Sequence, residues 1–310
     1  MAGHEGLRDV ERAEPLVQGF LEHLSCVRRL SAHTVRAYGT DLNTYLDWCA
    51  REGTPAIDIT HRRLRSYVAY LVSSGYAEKT INRRMSALRT FFAWLEREGE
   101  VGANHAAELP GRKMAKTLPA TITDEDVGRL LDACEADGPE GMRDRAMIEL
   151  MYATGARISE AARLVPADID YAQGQVRLFG KGSKERIVPM YDQALRTVDT
   201  YVNQARPALA ARRKAAGQPK ALFVSSRGND MNAQTLRARF ERLVLLAGLG
   251  TDVTPHAMRH TFATEMLNGG ADLKTVQELL GHESLATTQI YTHLSIERLK
   301  AATRQAHPRG

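Results

Sequence analysis

Residues 254–260 read Thr-Pro-His-Ala-Met-Arg-His, and residues 281–293 begin with Gly-His and end with Tyr-Thr-His. The threonine-proline pair predicts a helix N-cap with proline at the first helical position. His256 and Arg259 are three residues apart, so both side chains should lie on one face near the start of this helix. A helix start also offers free backbone N–H groups and the positive end of the dipole, which together favour a bound anion.

A second predicted helix runs from Asp272 to Leu280 and ends at Gly281, a C-cap that leaves His282 just outside it. Tyr291 follows a further short predicted helix. Two histidines, an arginine and a tyrosine at helix ends suit a phosphate site with a nucleophile, because the donors surround the anion while a phenol approaches it. Each residue alone is more often an ordinary surface or core residue, so the interpretation depends on partners elsewhere in the chain.

Two other segments supply such partners. Arg157 lies just past a predicted helix that ends at Gly155. Residues 175–179 and 184–189 predict two strands joined by Gly-Lys-Gly-Ser, which gives a hairpin with Lys181 at its tip. The sequence therefore offers two more cations that the fold could bring to the same anion.

Four segments, residues 152–160, 179–189, 254–264 and 280–293, resemble the signature motifs of the tyrosine site-specific recombinases. The whole chain is similar to the Xer branch of that family. The resemblance implies a catalytic set of six residues, Arg157, Lys181, His256, Arg259, His282 and Tyr291.

The resemblance also implies a role for each group. Tyr291 is the nucleophile, and its phenol has an ordinary pKa of about 10, so it needs a base or a strong positive potential to attack at neutral pH. His256 is implied as the proton acceptor and Lys181 as the general acid for the leaving 5′-hydroxyl. Spacing alone leaves the acid and the base interchangeable.

Arg157 and Arg259 each present a planar fork to the non-bridging phosphate oxygens, and His282 is implied to add a hydrogen bond. A covalent 3′-phosphotyrosine conserves the energy of the cleaved phosphodiester bond, so resealing needs no ATP. In agreement, the chain has no Gly-x-x-x-x-Gly-Lys-Ser/Thr loop. The sequence also offers no carboxylate cluster that would hold a metal ion. We therefore expect no cofactor and no metal.

The 310 residues are enough for two domains, and the formal net charge of +5 is compatible with a polyanionic partner. The chain has no run of eighteen apolar residues and no signal-peptide pattern at its start, so we expect a cytoplasmic protein without a membrane segment. The three cysteines are scattered without Cys-x-x-Cys spacing, which fits a reducing compartment.

We expect a mainly α-helical fold with a small β-hairpin or sheet. Residues 11–98 predict four helices, which the resemblance identifies as a SAM-like, core-binding DNA-binding domain. Residues 99–120 have the composition of a linker, and the resemblance identifies residues 121–294 as the mixed α/β catalytic domain. Residues 295–310 predict a helical tail, and the resemblance implies that it docks into a neighbouring protomer.

Basic residues concentrate between residues 60 and 92, where seven lysines and arginines accompany one glutamate. A solvated helix face accounts for this pattern as well as a DNA-binding surface does. The DNA-contact residues that we expect are Arg62, Arg63, Lys79, Arg83, Arg84, Arg89, Lys116, Arg237 and Arg239.

The leading hypothesis is a site-specific recombinase that resolves chromosome or plasmid dimers at cell division. Its partners would be a double-stranded DNA recombination site, further copies of the chain or a sister Xer recombinase in a cyclic tetramer on two sites, and a division-associated DNA translocase. An integrase of a mobile element and a type IB topoisomerase share the chemistry. A DNA-binding protein without catalysis is the alternative from another class.

Overall fold

The computed structural model describes residues 2–28, 30–109, 122–134, 138–180 and 184–281, with side chains from residue 11 onward. Contacts divide the chain into two compact units, residues 1–117 and 118–310. Among the described residues, no helix is both long and apolar enough to cross a membrane.

Helices form the first unit. They are α1 (Ala2–Cys26), α2 (Ala32–Glu52), α3 (His61–Ser73) and α4 (Glu78–Glu98). Local caps fix the ends of α2: Ser31 Oγ accepts the Thr34 N–H at 3.2 Å, and Gly53 ends the helix in the left-handed conformation. Aromatic side chains fill the core, with Phe20, Tyr45, Tyr67, Phe91 and Phe92 almost fully buried.

The second unit combines helices with a small sheet. Its helices are α5 (Asp124–Asp132), α6 (Pro139–Thr154), α7 (Ile158–Ala161), α8 (Asp192–Thr200), α9 (Arg206–Ala210), α10 (Ala233–Leu246), α11 (Pro255–Asn268) and α12 (Leu273–Leu280). A 3₁₀ turn spans Pro166–Asp168, and a π-helical turn at Tyr201–Ala205 joins α8 to α9. Buried residues of these helices and of the sheet form one continuous core.

The sheet has three antiparallel strands in the order β1 (Ile169–Asp170), β2 (Gln175–Phe179) and β3 (Glu185–Pro189). In the β2–β3 register, Leu178 pairs with Arg186 and Val176 pairs with Val188. Because side chains alternate along a strand, Arg186 lies on the same buried face as Val188. The predicted hairpin and the predicted mainly helical fold are confirmed.

Candidate active site

Arg259 enters the site from the first half of α11. Thr254 Oγ1 accepts the Ala257 N–H at 3.1 Å, and Pro255 is the first helical residue, as the sequence predicts. The Arg259 side chain is 7% exposed. Its Nη1 donates to Gly155 O at 2.8 Å and its Nη2 to Leu280 O, so backbone carbonyls at the ends of α6 and α12 fix the guanidinium.

Arg157 reaches the same place from the start of α7. Its Nη1 donates to Leu280 O at 3.4 Å and to Glu160 Oε1 at 3.0 Å. The two arginines therefore share one acceptor, the last carbonyl of α12. The Arg157 side chain remains 43% exposed, so this guanidinium is accessible to a ligand from solvent.

Gly155 permits the close approach of these segments. It ends α6 with φ of 59°, in the left-handed region that favours glycine. A Cβ at this position would lie 2.6 Å from Phe262 Cδ1 and 3.2 Å from Leu280 Cδ2. The glycine thus lets α6, α11 and α12 meet where the arginines converge.

Glu160 and Arg186 form a buried ion pair beside the two arginines. Arg186 Nη1 and Nη2 donate to Glu160 Oε1 at 2.8 Å and Oε2 at 2.7 Å, a two-pronged contact. Glu160 Oε2 also accepts the backbone N–H of Arg157 at 2.8 Å, and it lies 3.9 Å from Arg259 Nη1. Arg186 Nε donates to Leu279 O at 2.6 Å, which connects β3 to the end of α12.

The electrostatics of the cluster follow from burial and proximity. Burial, together with the charges of Arg157 and Arg186, lowers the pKa of Arg259 to about 10, although Glu160 opposes the shift. Burial opposes ionisation of Glu160, but the hydrogen bonds and charges of Arg186 and Arg157 outweigh it and hold the pKa of that carboxyl below its ordinary value. Both groups therefore remain charged at neutral pH.

The remaining members of the predicted catalytic set are placed as follows. His256 lies in the first turn of α11, and its side chain is exposed. Lys181, His282 and Tyr291 lie outside the described residues. The described chain extends to Gly180 and to Gly281, the residues that immediately precede two of them.

Sequence reasoning missed Glu160 and Arg186 as members of the site. Both lie within the motif segments, but neither belongs to the predicted catalytic set. The available signal was the strand alternation, because a residue two positions before Val188 falls on the same face and an arginine there must find a buried partner.

The predicted DNA-contact residues of the first unit differ in exposure. Arg62, Arg63 and Lys79 are exposed on α3 and α4, whereas Arg89 is half-buried and donates to Leu109 O at 3.0 Å. Arg83 is exposed, although its Nη1 is bonded to the buried carboxylate of Asp41.

Arg84 does not lie on the surface. It is 7% exposed, its guanidinium carbon lies 3.9 Å from the centre of the Tyr76 ring, and its Nε is 3.6 Å from Asp41 Oδ1. These contacts place the guanidinium among groups of its own unit, where a DNA backbone cannot reach it without displacing Tyr76. We therefore leave Arg84 out of the DNA-contact set proposed below.

In the second unit, Arg237 is exposed on α10. Arg239 is half-buried and donates from Nε to Asp144 Oδ2 at 2.6 Å, so part of its hydrogen-bonding capacity is already used. Lys116 lies outside the described residues.

Comparison with known proteins gives the family. The model of the phage integrase family matches residues 120–298, and the model of the phage integrase N-terminal SAM-like domain matches residues 17–99. The tyrosine recombinase XerD of Shewanella oneidensis is 38% identical over 96% of this chain and 98% of the relative. The tyrosine recombinase XerC of Oceanobacillus iheyensis is 37% identical over 97% and 98%.

A solved structure shares the fold. The lambda integrase tetramer bound to a Holliday junction aligns with a TM-score of 0.67 at 19% identity, over 90% of this chain and 80% of that one. The fold and the family matches together define an enzyme of DNA strand transfer. The chain belongs to the phage integrase family, and within it to the tyrosine recombinases of the Xer type.

Proposed function

We propose that the chain cuts and rejoins DNA strands at specific paired sites through a covalent 3′-phosphotyrosine. One observation carries the proposal: Arg157, which precedes α7, and Arg259 of α11 donate to the same carbonyl oxygen of Leu280. Glu160 offsets only one of the three guanidinium charges in this cluster, so the cluster keeps an excess of positive charge that favours an anion bound beside Arg157 and Arg259. A scissile phosphate is such an anion.

The two arginines would neutralise the charge that grows on the non-bridging oxygens in the pentacoordinate transition state. The Tyr291 oxygen would attack phosphorus and form a P–O bond, while its proton passes to His256. The bond to the 5′ oxygen would break as Lys181 donates a proton, which releases a 5′-hydroxyl. His282 would add a hydrogen bond to the phosphate, and the reverse sequence with another 5′-hydroxyl would rejoin the strands.

The positions of Gly180 and Gly281 support the roles proposed for Lys181 and His282. A Cβ on Gly180 would lie 3.9 Å from Glu160 Oε1, and a Cβ on Gly281 would lie 3.3 Å from Arg186 Cδ. The residues that precede Lys181 and His282 therefore both lie against the ion pair that borders the two arginines.

The partners that we propose are a double-stranded DNA recombination site and, on two such sites, a cyclic tetramer formed by copies of the chain or with a sister Xer recombinase. Lambda integrase, which shares the fold, has been solved as a tetramer on a Holliday junction. The exposed basic side chains Arg62, Arg63, Lys79 and Arg237 suit phosphate contacts. Arg83, Arg89, Arg239 and Lys116 complete the proposed set.

We propose that residues 11–98 form the DNA-binding domain and residues 121–294 the catalytic domain, joined by a linker at residues 99–120. Residues 295–310 would make the contact between protomers. The family matches over residues 17–99 and 120–298 support the first two. The identity to the tyrosine recombinases XerD and XerC over nearly the whole chain supports an Xer-type recombinase. On that basis the proposal extends to dimer resolution at cell division in the cytoplasm, with a division-associated DNA translocase as a partner.

The test is formation of the covalent adduct. DNA trapped by the chain in cells would be sequenced to obtain the site, and a nicked duplex carrying that site would be incubated with purified protein. We expect an adduct that survives detergent with the unchanged chain and with Tyr171→Phe, an exposed tyrosine of the second unit, but none with Tyr291→Phe. An adduct with Tyr291→Phe contradicts the assigned nucleophile.

A second measurement separates the recombinase from a relaxing topoisomerase with the same chemistry. We expect exchange between plasmids that carry paired sites. Efficient relaxation of supercoiled plasmids that lack the site would contradict site-specific recombination, and the absence of any adduct would favour a protein that only binds DNA.

A further inference from the structure

Arg186 is a buried cation next to the two site arginines. It is 5% exposed, and its three donor nitrogens bond Glu160 Oε1, Glu160 Oε2 and Leu279 O. These contacts leave its guanidinium no exposed edge for DNA. Its effect on catalysis must therefore act through the groups it touches.

The charges of the cluster explain what that effect is. Glu160 is 3% exposed and contacts three guanidiniums, those of Arg157, Arg186 and Arg259. A buried carboxylate attracts whichever cations lie nearest, and one of its neighbours must compensate its charge. If Arg157 or Arg259 compensated Glu160, one positive charge fewer would remain to attract a phosphate.

We propose that Arg186 is a positioning residue that neutralises Glu160, so that Arg157 and Arg259 keep their charge for the scissile phosphate. The inference rests on the proposed phosphate-binding role of those two arginines. Glu160 also holds the start of α7, because its Oε2 accepts the Arg157 N–H at 2.8 Å. Arg186 satisfies both carboxylate oxygens with the short bidentate geometry, whereas Arg157 reaches one of them at 3.0 Å and Arg259 approaches only to 3.9 Å.

Loss of Arg186 should redirect the other arginines. Arg157 has an exposed and adjustable side chain, and it already shares Glu160 Oε1 with Arg186. Without its main counter-ion, Glu160 would draw Arg157 and Arg259 toward itself and away from the ligand side. The cleavage step would slow, while DNA affinity, which depends on many phosphate contacts, would change little.

A purely structural reading makes a different prediction. Arg186 also anchors β3 to the end of α12 through Leu279 O, and removing that anchor alone would impair the site whatever the charge of residue 160. Neutralising Glu160 distinguishes the two readings. If compensation is the role of Arg186, removing the carboxylate charge makes Arg186 dispensable in part.

The experiment measures single-turnover formation of the covalent adduct on the nicked site duplex, together with DNA affinity. Four full-length variants are compared: Arg186→Met, Glu160→Gln, the double variant, and Arg177→Met. The last is the matched control, because Arg177 lies on β2 with an exposed side chain and pairs with Asp168 rather than with the site.

We expect Arg186→Met to slow cleavage on the order of 10²-fold, the effect typical of a displaced catalytic group, with Kd changed less than about twofold. The double variant should recover roughly tenfold of that loss, a coupling of the size seen within one ion-pair network. Arg177→Met should cleave at the unchanged rate. A double variant that is as slow as Arg186→Met, or slower, would overturn the proposal.

Arg186→Lys covers the case in which Arg186→Met does not fold, which calorimetry would reveal. Lysine retains the charge but loses the two-pronged contact, so cleavage within about tenfold of the unchanged chain supports charge compensation. A folded Arg186→Lys with a 10²-fold or larger loss would overturn it. Failure of the underlying phosphate assignment is recognised separately, since Arg157→Ala and Arg259→Ala would then cleave normally.

Discussion

Backbone carbonyl oxygens hold both arginines of the site. Leu280 O accepts from Arg157 and from Arg259, and Gly155 O accepts from Arg259. A carbonyl fixes a guanidinium without cancelling its charge, and each guanidinium has five N–H donors, so donors remain for phosphate oxygens. At the scale of single residues, the site is built to orient cations while keeping them cationic.

Gly155→Ala should lower the stability of the second unit. The new methyl group would meet Phe262 at 2.6 Å, and alanine would have to adopt φ of 59°. Gly270→Ala is the control, because its φ is 90° and nothing lies within 4 Å of its Cβ position. We expect Gly155→Ala to cost at least about 1 kcal/mol more than the control, the usual size of an overpacking effect. Calorimetry of the full chain measures the two losses of stability. Equal losses for Gly155→Ala and Gly270→Ala would contradict the close packing of Gly155 against Phe262.

Glu160 should make stability depend on acidic pH. Its pKa in the folded chain is below the ordinary glutamate value, so the unfolded chain binds the proton more readily. The stabilisation from ionised Glu160 is fully present above the pKa that this carboxyl has in the unfolded chain. It is lost as the pH falls through the lower pKa that it has in the folded chain. We expect the unfolding free energy to fall more between pH 6 and pH 3 in the unchanged chain than in Glu160→Gln. If the unfolding free energies of the two proteins fell equally with pH, Glu160 would not be the source of the dependence.

At the scale of secondary-structure elements, helix ends position the site. Gly155 ends α6 and Gly281 ends α12, so two helix ends meet at the arginines, while Thr254 and Pro255 begin α11, which supplies Arg259. These termini were predictable, because capping depends on residues close together in sequence. The strands predicted at residues 175–179 and 184–189 were confirmed to within one residue, because hairpin signals are local in the same way.

The contacts inside the site were less predictable. Arg186 donates to Leu279, 93 positions away in sequence, and Arg259 to Gly155, 104 positions away. Such contacts depend on how the elements pack, which local patterns do not encode. Arg84 illustrates the same limit, since its place in a basic run predicted a DNA contact while tertiary packing put it beneath Tyr76.

Thr254→Ala tests the cap of α11. The hydroxyl accepts the Ala257 N–H at 3.1 Å, and its loss leaves that donor without its acceptor at the helix start. We expect a loss of about 1 kcal/mol in unfolding free energy, as for other N-cap replacements. Thr254→Ser keeps the hydroxyl and should be close to the unchanged chain. Equal effects of serine and alanine would show that the cap contributes little.

At the scale of the whole molecule, exposed basic residues occur in both units, on α3 and α4 of the first and on α10 of the second. Each phosphate contact releases condensed counterions, so DNA affinity should fall steeply with salt. The residues that carry this dependence should be the exposed ones.

Replacing single arginines tests that distinction. We expect Arg62→Ala and Arg63→Ala each to reduce the slope of log affinity against log salt by about 1, because each removes one phosphate contact. Arg84→Met should leave the slope unchanged and lower the stability of the first unit instead. Affinity titrations over a salt series provide the measurement. A reduced slope for Arg84→Met would show that Arg84 does reach DNA.

The most direct test of the central claim, that Arg157 and Arg259 neutralise the scissile phosphate, uses a substrate in which a methyl group replaces one non-bridging oxygen. That phosphorus centre carries no charge, so an arginine that served to neutralise it becomes dispensable. Arg157→Ala or Arg259→Ala should cleave the ordinary phosphate on the order of 10²-fold more slowly or worse. On the methylphosphonate, at least one variant should approach the rate of the unchanged chain. An equal loss on both substrates would contradict the claim.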